Sequence, residues 1–167
     1  YTAFEQAITG AQAIERRNKD IITLIDFTKP STEERLYVLD IRHKRLLFSS
    51  LVSHGKNSGG NYATSFSNKS ILTKVHWDFS LRKIPIRAKN GYSLVLNGLE
   101  KGINDRAKRT GDRSARGELL QPVFAVSTGR LGRSFGCPAL PPSLAKPIIN
   151  TIKDGTLLYI YANDKEI

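Results

Sequence analysis

Cysteine occurs once in the 167 residues, at Cys137, and methionine does not occur at all. One unpaired cysteine excludes an internal disulfide framework, and in an exported protein a leftover thiol is a candidate reactive group. No stretch reaches 18 consecutive apolar residues, which excludes a membrane-spanning helix and a stable membrane insertion of this chain. Acidic residues are scarce: 15 Asp and Glu stand against 26 Lys and Arg, a net charge of +11 with a pI near 10. Such an excess suggests an anionic partner (nucleic acid, a membrane surface or a cell-wall polymer), or a basic surface that is simply solvated. No recognised nucleic-acid motif accompanies the charge, so a nucleic-acid partner is not expected. The chain opens at Tyr1 without methionine, and the expectation is a fragment or mature form whose targeting segment lies elsewhere.

What is present reads as one domain spanning 1–167, β-dominated with flanking helices, of the α+β class. Phe4, Ala7, Ile8, Ala11 and Ile14 recur at helical spacing, so residues 3–17 are expected as an amphipathic helix and 1–17 as an N-terminal packing segment. The apolar run 21–27 predicts a strand, and 36–41 and 46–52 predict two more, joined by the polar turn Arg42-His43-Lys44-Arg45. His43 is expected to be a solvated turn residue. Residues 91–98 alternate as a strand does. Pro142-Ser143 opens a helix carrying Leu144, Ile148, Ile149 and Ile152, stopped at Gly155, and 156–161 reads as a closing buried strand. No internal repeat, low-complexity tract or linker is visible.

The chemistry concentrates at Gly129-Arg-Leu-Gly-Arg-Ser-Phe-Gly-Cys-Pro138. A cysteine is nucleophilic as thiolate, and Arg130 and Arg133 are close enough in sequence to lower its pKa. The small Gly136 lets a carbonyl approach and leaves backbone N–H groups to receive an oxyanion. The competing reading is a small buried hydrophobe. Upstream, Val52-Ser-His-Gly-Lys-Asn-Ser-Gly-Gly60 is a glycine-rich loop without the spacing of a phosphate-binding loop.

Ser134-Phe135-Gly136-Cys137-Pro138 resembles the nucleophile motif of murein L,D-transpeptidases, the YkuD-like cysteine enzymes of the bacterial cell wall. The similarity continues through Val52–Asn68 and Leu99–Asp105. It implies a β-sandwich or barrel catalytic domain that acts on peptidoglycan stem peptides at the periplasm or cell envelope, with no cofactor and no metal. Catalytic roles carry over to Cys137, Gly136, Ser134 and His54, and substrate-binding roles to Arg130 and Arg133. His54 is either a cleft residue or one that orders its loop. Carbapenem-type β-lactams acylate the cysteine of such enzymes.

Two segments, 69–89 and 110–122, keep the family's spacing and lose its residues. In the first the family shows Ser-x-Leu-Gly and an aromatic pair. In the second it shows Arg-Ala-Ile-Val-x-His-Gly-Ala, whose histidine is the base, whereas here Ala115 stands at that place. The genetic code offers a reason. With each codon taking one base from its predecessor, His76-Trp77-Asp78 must read Leu-Gly. Shifted the other way, Thr110–Leu119 permits Arg-Ala-Ile-Val-Val-His-Gly-Ala-Ser-Tyr, with histidine at position 115. The expectation is that both segments lie between compensating frameshifts, in the gene or in its sequencing. The rival is a diverged paralogue with a remodelled cleft, and the alternative function is that of a catalytically inactive wall-binding relative. Residues 69–89 carry six Lys and Arg and one Asp, so their +5 of the +11 belongs to the same question.

Overall fold

Two apolar runs from opposite ends of the chain meet at the centre of the fold. In the computed structural model, which describes residues 2–13, 20–55, 60–63, 79–81, 86–88, 91–98, 123–126, 133–134, 139–153 and 155–162, β1 (Ile21–Asp26) pairs in parallel with β11 (Leu157–Tyr161). The register sets Ile22 opposite Leu157 and Asp26 opposite Tyr161. A parallel pair is covered on both faces, which is why both segments read as nearly continuous apolar runs.

Alternation along these two strands sends side chains into two clusters. On one side Ile22, Leu24, Leu157 and Tyr159 pack on Ala3, Ala7 and Ala11 of helix α1 (Thr2–Ala13). On the other, Ile25, Leu158 and Ile160 join Ala145, Ile148, Ile149 and Ile152 of helix α2 (Pro142–Ile152). Each large aliphatic side chain so buried contributes about 1.5–3 kcal/mol. Gly155, at φ 73°, then turns the chain from α2 into β11. A left-handed position of this kind just past a helix suits glycine.

Around the pair runs a nine-stranded mixed sheet. Its remaining strands are β2 (Leu36–Asp40), β3 (Arg45–Ser50), β5 (Phe79–Leu81), β6 (Ile86–Ala88), β7 (Gly91–Gly98), β8 (Val123–Val126) and β10 (Ala139–Leu140). The order is β10-β8-β7-β5-β11-β1-β2-β3, with β6 on β7. A separate two-stranded sheet pairs β4 (His54–Gly55) with β9 (Arg133–Ser134). A mixed sheet with two helices among the described residues agrees with the α+β expectation.

The structure revises one detail and adds two. Ile8, expected on the buried face of the first helix, is 40% exposed. The alanines at 3, 7 and 11 form the contact stripe instead, and their small side chains let the helix lie close to the sheet. Phe4 packs at 5.5 Å from the Tyr37 ring, while Ile8, one turn further on, remains largely outside the apolar contact. His43 lies exposed in the β2–β3 turn as expected, with its Nδ1 2.8 Å from Asp40 Oδ2. The third concerns β5 and β6, which form inside the segment 69–89 where no strand is evident from residue type. The helix is described to Ala13; Ile14 and residues 15–17 lie outside the described residues.

Candidate active site

Residues 52–55 leave β3 and stitch together two parts of the chain some 80 residues away in sequence. Ser53 forms an antiparallel bridge with Ala139: its N–H donates to Ala139 O at 2.9 Å, and Ala139 N–H donates to Ser53 Oγ at 3.2 Å. The next two residues pair in parallel with β9, His54 beside Arg133 and Gly55 beside Ser134. Segment 53–55 therefore holds the chain on both sides of Phe135-Gly136-Cys137-Pro138: Arg133-Ser134 before it and Ala139 after it. β10 is fixed in turn to β8, Ala139 beside Ala125 and Leu140 beside Val126.

Behind this seam lies a buried cation. Arg35, in the extended segment entering β2, has no exposed surface. Its Nε and Nη2 donate to Val52 O at 3.0 and 2.7 Å, and Nη1 donates to Lys29 O at 3.0 Å. Nη2 also lies 2.8 Å from His54 Nδ1. Phe27 serves both groups: the guanidinium carbon sits 4.9 Å from its ring centroid, and the His54 ring meets it edge-on at 6.0 Å. Burial pulls the Arg35 guanidinium down to about 10, with the charge of Asp26 opposing that shift, so it remains a cation at neutral pH. Asp26 is itself held by Thr28, whose backbone N–H and hydroxyl both donate to Oδ1.

The described part of the site is thus a buried histidine, in contact with a buried arginine, on a strand paired beside the Cys137 motif. A model of the L,D-transpeptidase catalytic domain matches residues 1–161. The chain belongs to the L,D-transpeptidase catalytic-domain family.

Solved structures of low sequence identity are similar to it. The helical cell shape determining protein Pgp2 of Campylobacter jejuni aligns with a TM-score of 0.53 at 13% identity, over 96% of this chain and 56% of that one. An L,D-transpeptidase of Stackebrandtia nassauensis aligns with a TM-score of 0.49 at 15% identity, over 97% of this chain and 66% of that one. The domain thus spans between 56% and 66% of the length of these two solved chains. No curated protein matches it.

Of the residues singled out from the L,D-transpeptidase motif, the structure brings His54 together with the backbone of Arg133 and Ser134. Cys137, Gly136 and Arg130 lie outside the described residues, as do Ala115, His76 and Trp77. Sequence reasoning missed Arg35, Phe27 and Ser53. Arginine at the mouth of an apolar strand was a visible signal, since a charged residue next to Leu36-Tyr-Val-Leu must either reach solvent or find partners inside. No helix among the described residues is long and apolar enough to cross a membrane.

Proposed function

We propose that this domain is a cysteine acyltransferase acting on peptidoglycan stem tetrapeptides at the bacterial cell envelope. The observation that carries the reading, beside family membership, is the pairing of Ser53-His54-Gly55 with both flanks of the Cys137 motif. Acyl transfer needs its nucleophile and oxyanion donors fixed before the substrate arrives, and pairing on both flanks of the motif suits that need.

In this mechanism the Cys137 thiolate attacks the carbonyl of the diamino acid at the third position of the stem. The tetrahedral oxyanion is met by backbone N–H groups at Gly136 and Cys137; removing one such donor elsewhere costs about 10²–10³ in rate. Collapse breaks the peptide bond, and the leaving amine takes a proton as D-alanine departs. The thioester then passes to a side-chain amine of a second stem, forming a 3-3 crosslink, or to water, giving L,D-carboxypeptidase activity. Arg133 and Arg130 suit stem carboxylates, because a guanidinium fork matches a carboxylate bidentately. Ser134 orders the turn before the nucleophile, and His54 takes part from the adjoining strand.

One residue favours a second reading. The family's base would stand at position 115, and the chain has Ala115 there. Loss of a triad member costs on the order of 10⁴–10⁶ in rate. A chain translated as written would then hold wall peptide without turning it over.

Incubation with a carbapenem separates the two. An active site gives a single adduct by intact mass, mapped to Cys137 and missing from Cys137→Ala; stem tetrapeptide then yields D-alanine. An unmodified Cys137 together with retained binding to purified wall identifies the inactive relative.

A further inference from the structure

The contact between Arg35 and His54 has a definite polarity. A guanidinium carries only donors. At 2.8 Å from Arg35 Nη2, His54 Nδ1 must therefore be the acceptor, which places the ring proton on Nε2. A neutral imidazole has a single in-plane lone pair, and here it is committed. Moving the proton to Nδ1 would set an N–H against an N–H inside a site where Arg35 has no exposed surface and His54 only 2%. The guanidinium has no room to swing away, because Val52 O, Lys29 O and the face of Phe27 hold it on its other sides.

We infer that Arg35 is a positioning residue that locks His54 as a neutral Nε2–H donor, so that any part His54 takes in acyl transfer is that of a donor and not of a base. The inference rests on the acyl-transfer reading for its catalytic sense, but the tautomer itself is independent of that reading. Two charged groups lie beside the pair. Asp26 supports the Arg35 cation and is occupied by Thr28. Lys29 contributes its carbonyl to Arg35 while its ammonium donates to Tyr37 Oη at 2.8 Å. A neutral histidine used as an N–H donor to a polarised oxygen is a known catalytic device. It also means that His54 does not make good the histidine missing at position 115.

The test begins with the unaltered chain. Nitrogen-15 spectra of the histidine rings at neutral pH, with His54 assigned by its disappearance in His54→Gln, report the tautomer directly. An acceptor-type Nδ1 with a protonated Nε2 is expected; a protonated Nδ1, alone or with Nε2, overturns the inference. Carbapenem acylation of Cys137 supplies the second readout. His54→Ala is expected to slow it tenfold or more, and His54→Gln, whose amide N–H reaches the place of Nε2, to recover most of that loss. A glutamine variant as slow as alanine overturns the donor role, because glutamine cannot act as a base. If the parent chain is not acylated at all, the acyl-transfer reading falls, while the spectra still decide the tautomer.

Discussion

Ser53 and Ala139 are 86 residues apart in sequence and exchange two hydrogen bonds, one from Ser53 N–H to Ala139 O and one from Ala139 N–H to Ser53 Oγ. Both residues are buried, at 0% and 6% exposure. The side-chain bond sits where β3's extension meets the chain leaving the cysteine motif. Ser53→Ala leaves the Ala139 N–H unpaired in the interior, and that is expected to cost about 1–3 kcal/mol. Chemical denaturation should show the loss, and carbapenem acylation of Cys137 should slow in parallel. Unchanged stability and unchanged acylation together would show that the seam does not govern the site.

Asp40 ends β2 and accepts from the turn that follows. His43 N–H donates to Oδ1 at 3.0 Å, and His43 Nδ1 and Arg45 Nη2 approach Oδ2 at 2.8 and 3.5 Å. These donors, the backbone bond first, hold the carboxyl below its usual range against the opposing effect of desolvation. A carboxyl depressed in the folded state adds stability above its unfolded pKa and loses that stability as pH falls through the folded value. Asp40→Asn should therefore melt lower at neutral pH and show a flatter decline between about pH 5 and pH 2. Parallel melting curves for parent and variant across that range would rule the effect out.

Helix α2 carries an exposed proline, Pro147, in its interior. Proline has no N–H to give to the carbonyl four residues back, at Ser143, and its ring crowds that carbonyl. The helix persists because Ala145, Ile148, Ile149 and Ile152 are packed in the larger cluster. Tertiary burial overrides propensity here. Pro147→Ala touches no core contact and restores the missing bond, so it is expected to stabilise the domain by about 1–3 kcal/mol. A rise in the denaturation midpoint at constant slope is the reading to look for.

Thr23 lies in β1, fully buried, and its hydroxyl has no hydrogen-bond partner among the described residues. An orphaned buried hydroxyl costs about 1–3 kcal/mol. Thr23→Val keeps the shape and removes that cost, so the thermal midpoint should rise. A fall would mean that the hydroxyl has a partner the geometry does not reveal.

The elements legible in the sequence are those whose own residues carry the signal. The apolar runs at 21–27 and 156–161, the alternation through β7 and the proline-to-glycine span of α2 come close to their observed bounds. Their arrangement was not legible. No local pattern says that β1 and β11, the first and last strands, lie side by side, because a parallel register is chosen by packing across the whole chain. Ile8 was misplaced for the same reason: helical spacing identifies a face but not the width of the surface beneath it. Cys137 was legible as a candidate from its flanks. Arg35 escaped notice because its partners are two backbone carbonyls and a histidine from distant positions, and carbonyls leave no mark on residue identity.

The two anomalous segments give the last prediction. Strands β5 and β6 lie within 69–89 and pair with β7 and β11 through their backbones. Backbone ladders do not depend on which side chains are attached, so the same lengths of chain can be accommodated under either translation. Spacing is what a pair of compensating frameshifts preserves, and residue identity is what it destroys. Resequencing the codons for residues 65–125 is expected to restore Leu-Gly at positions 77–78 and His-Gly at 115–116. The corrected protein would then carry its histidine base, and acyl transfer should exceed that of the chain as written by about 10⁴ or more. Reads that confirm Trp77 and Ala115 would end the frameshift explanation, and the reactivity of Cys137 in the present chain would then decide between a weak enzyme and a wall-binding relative.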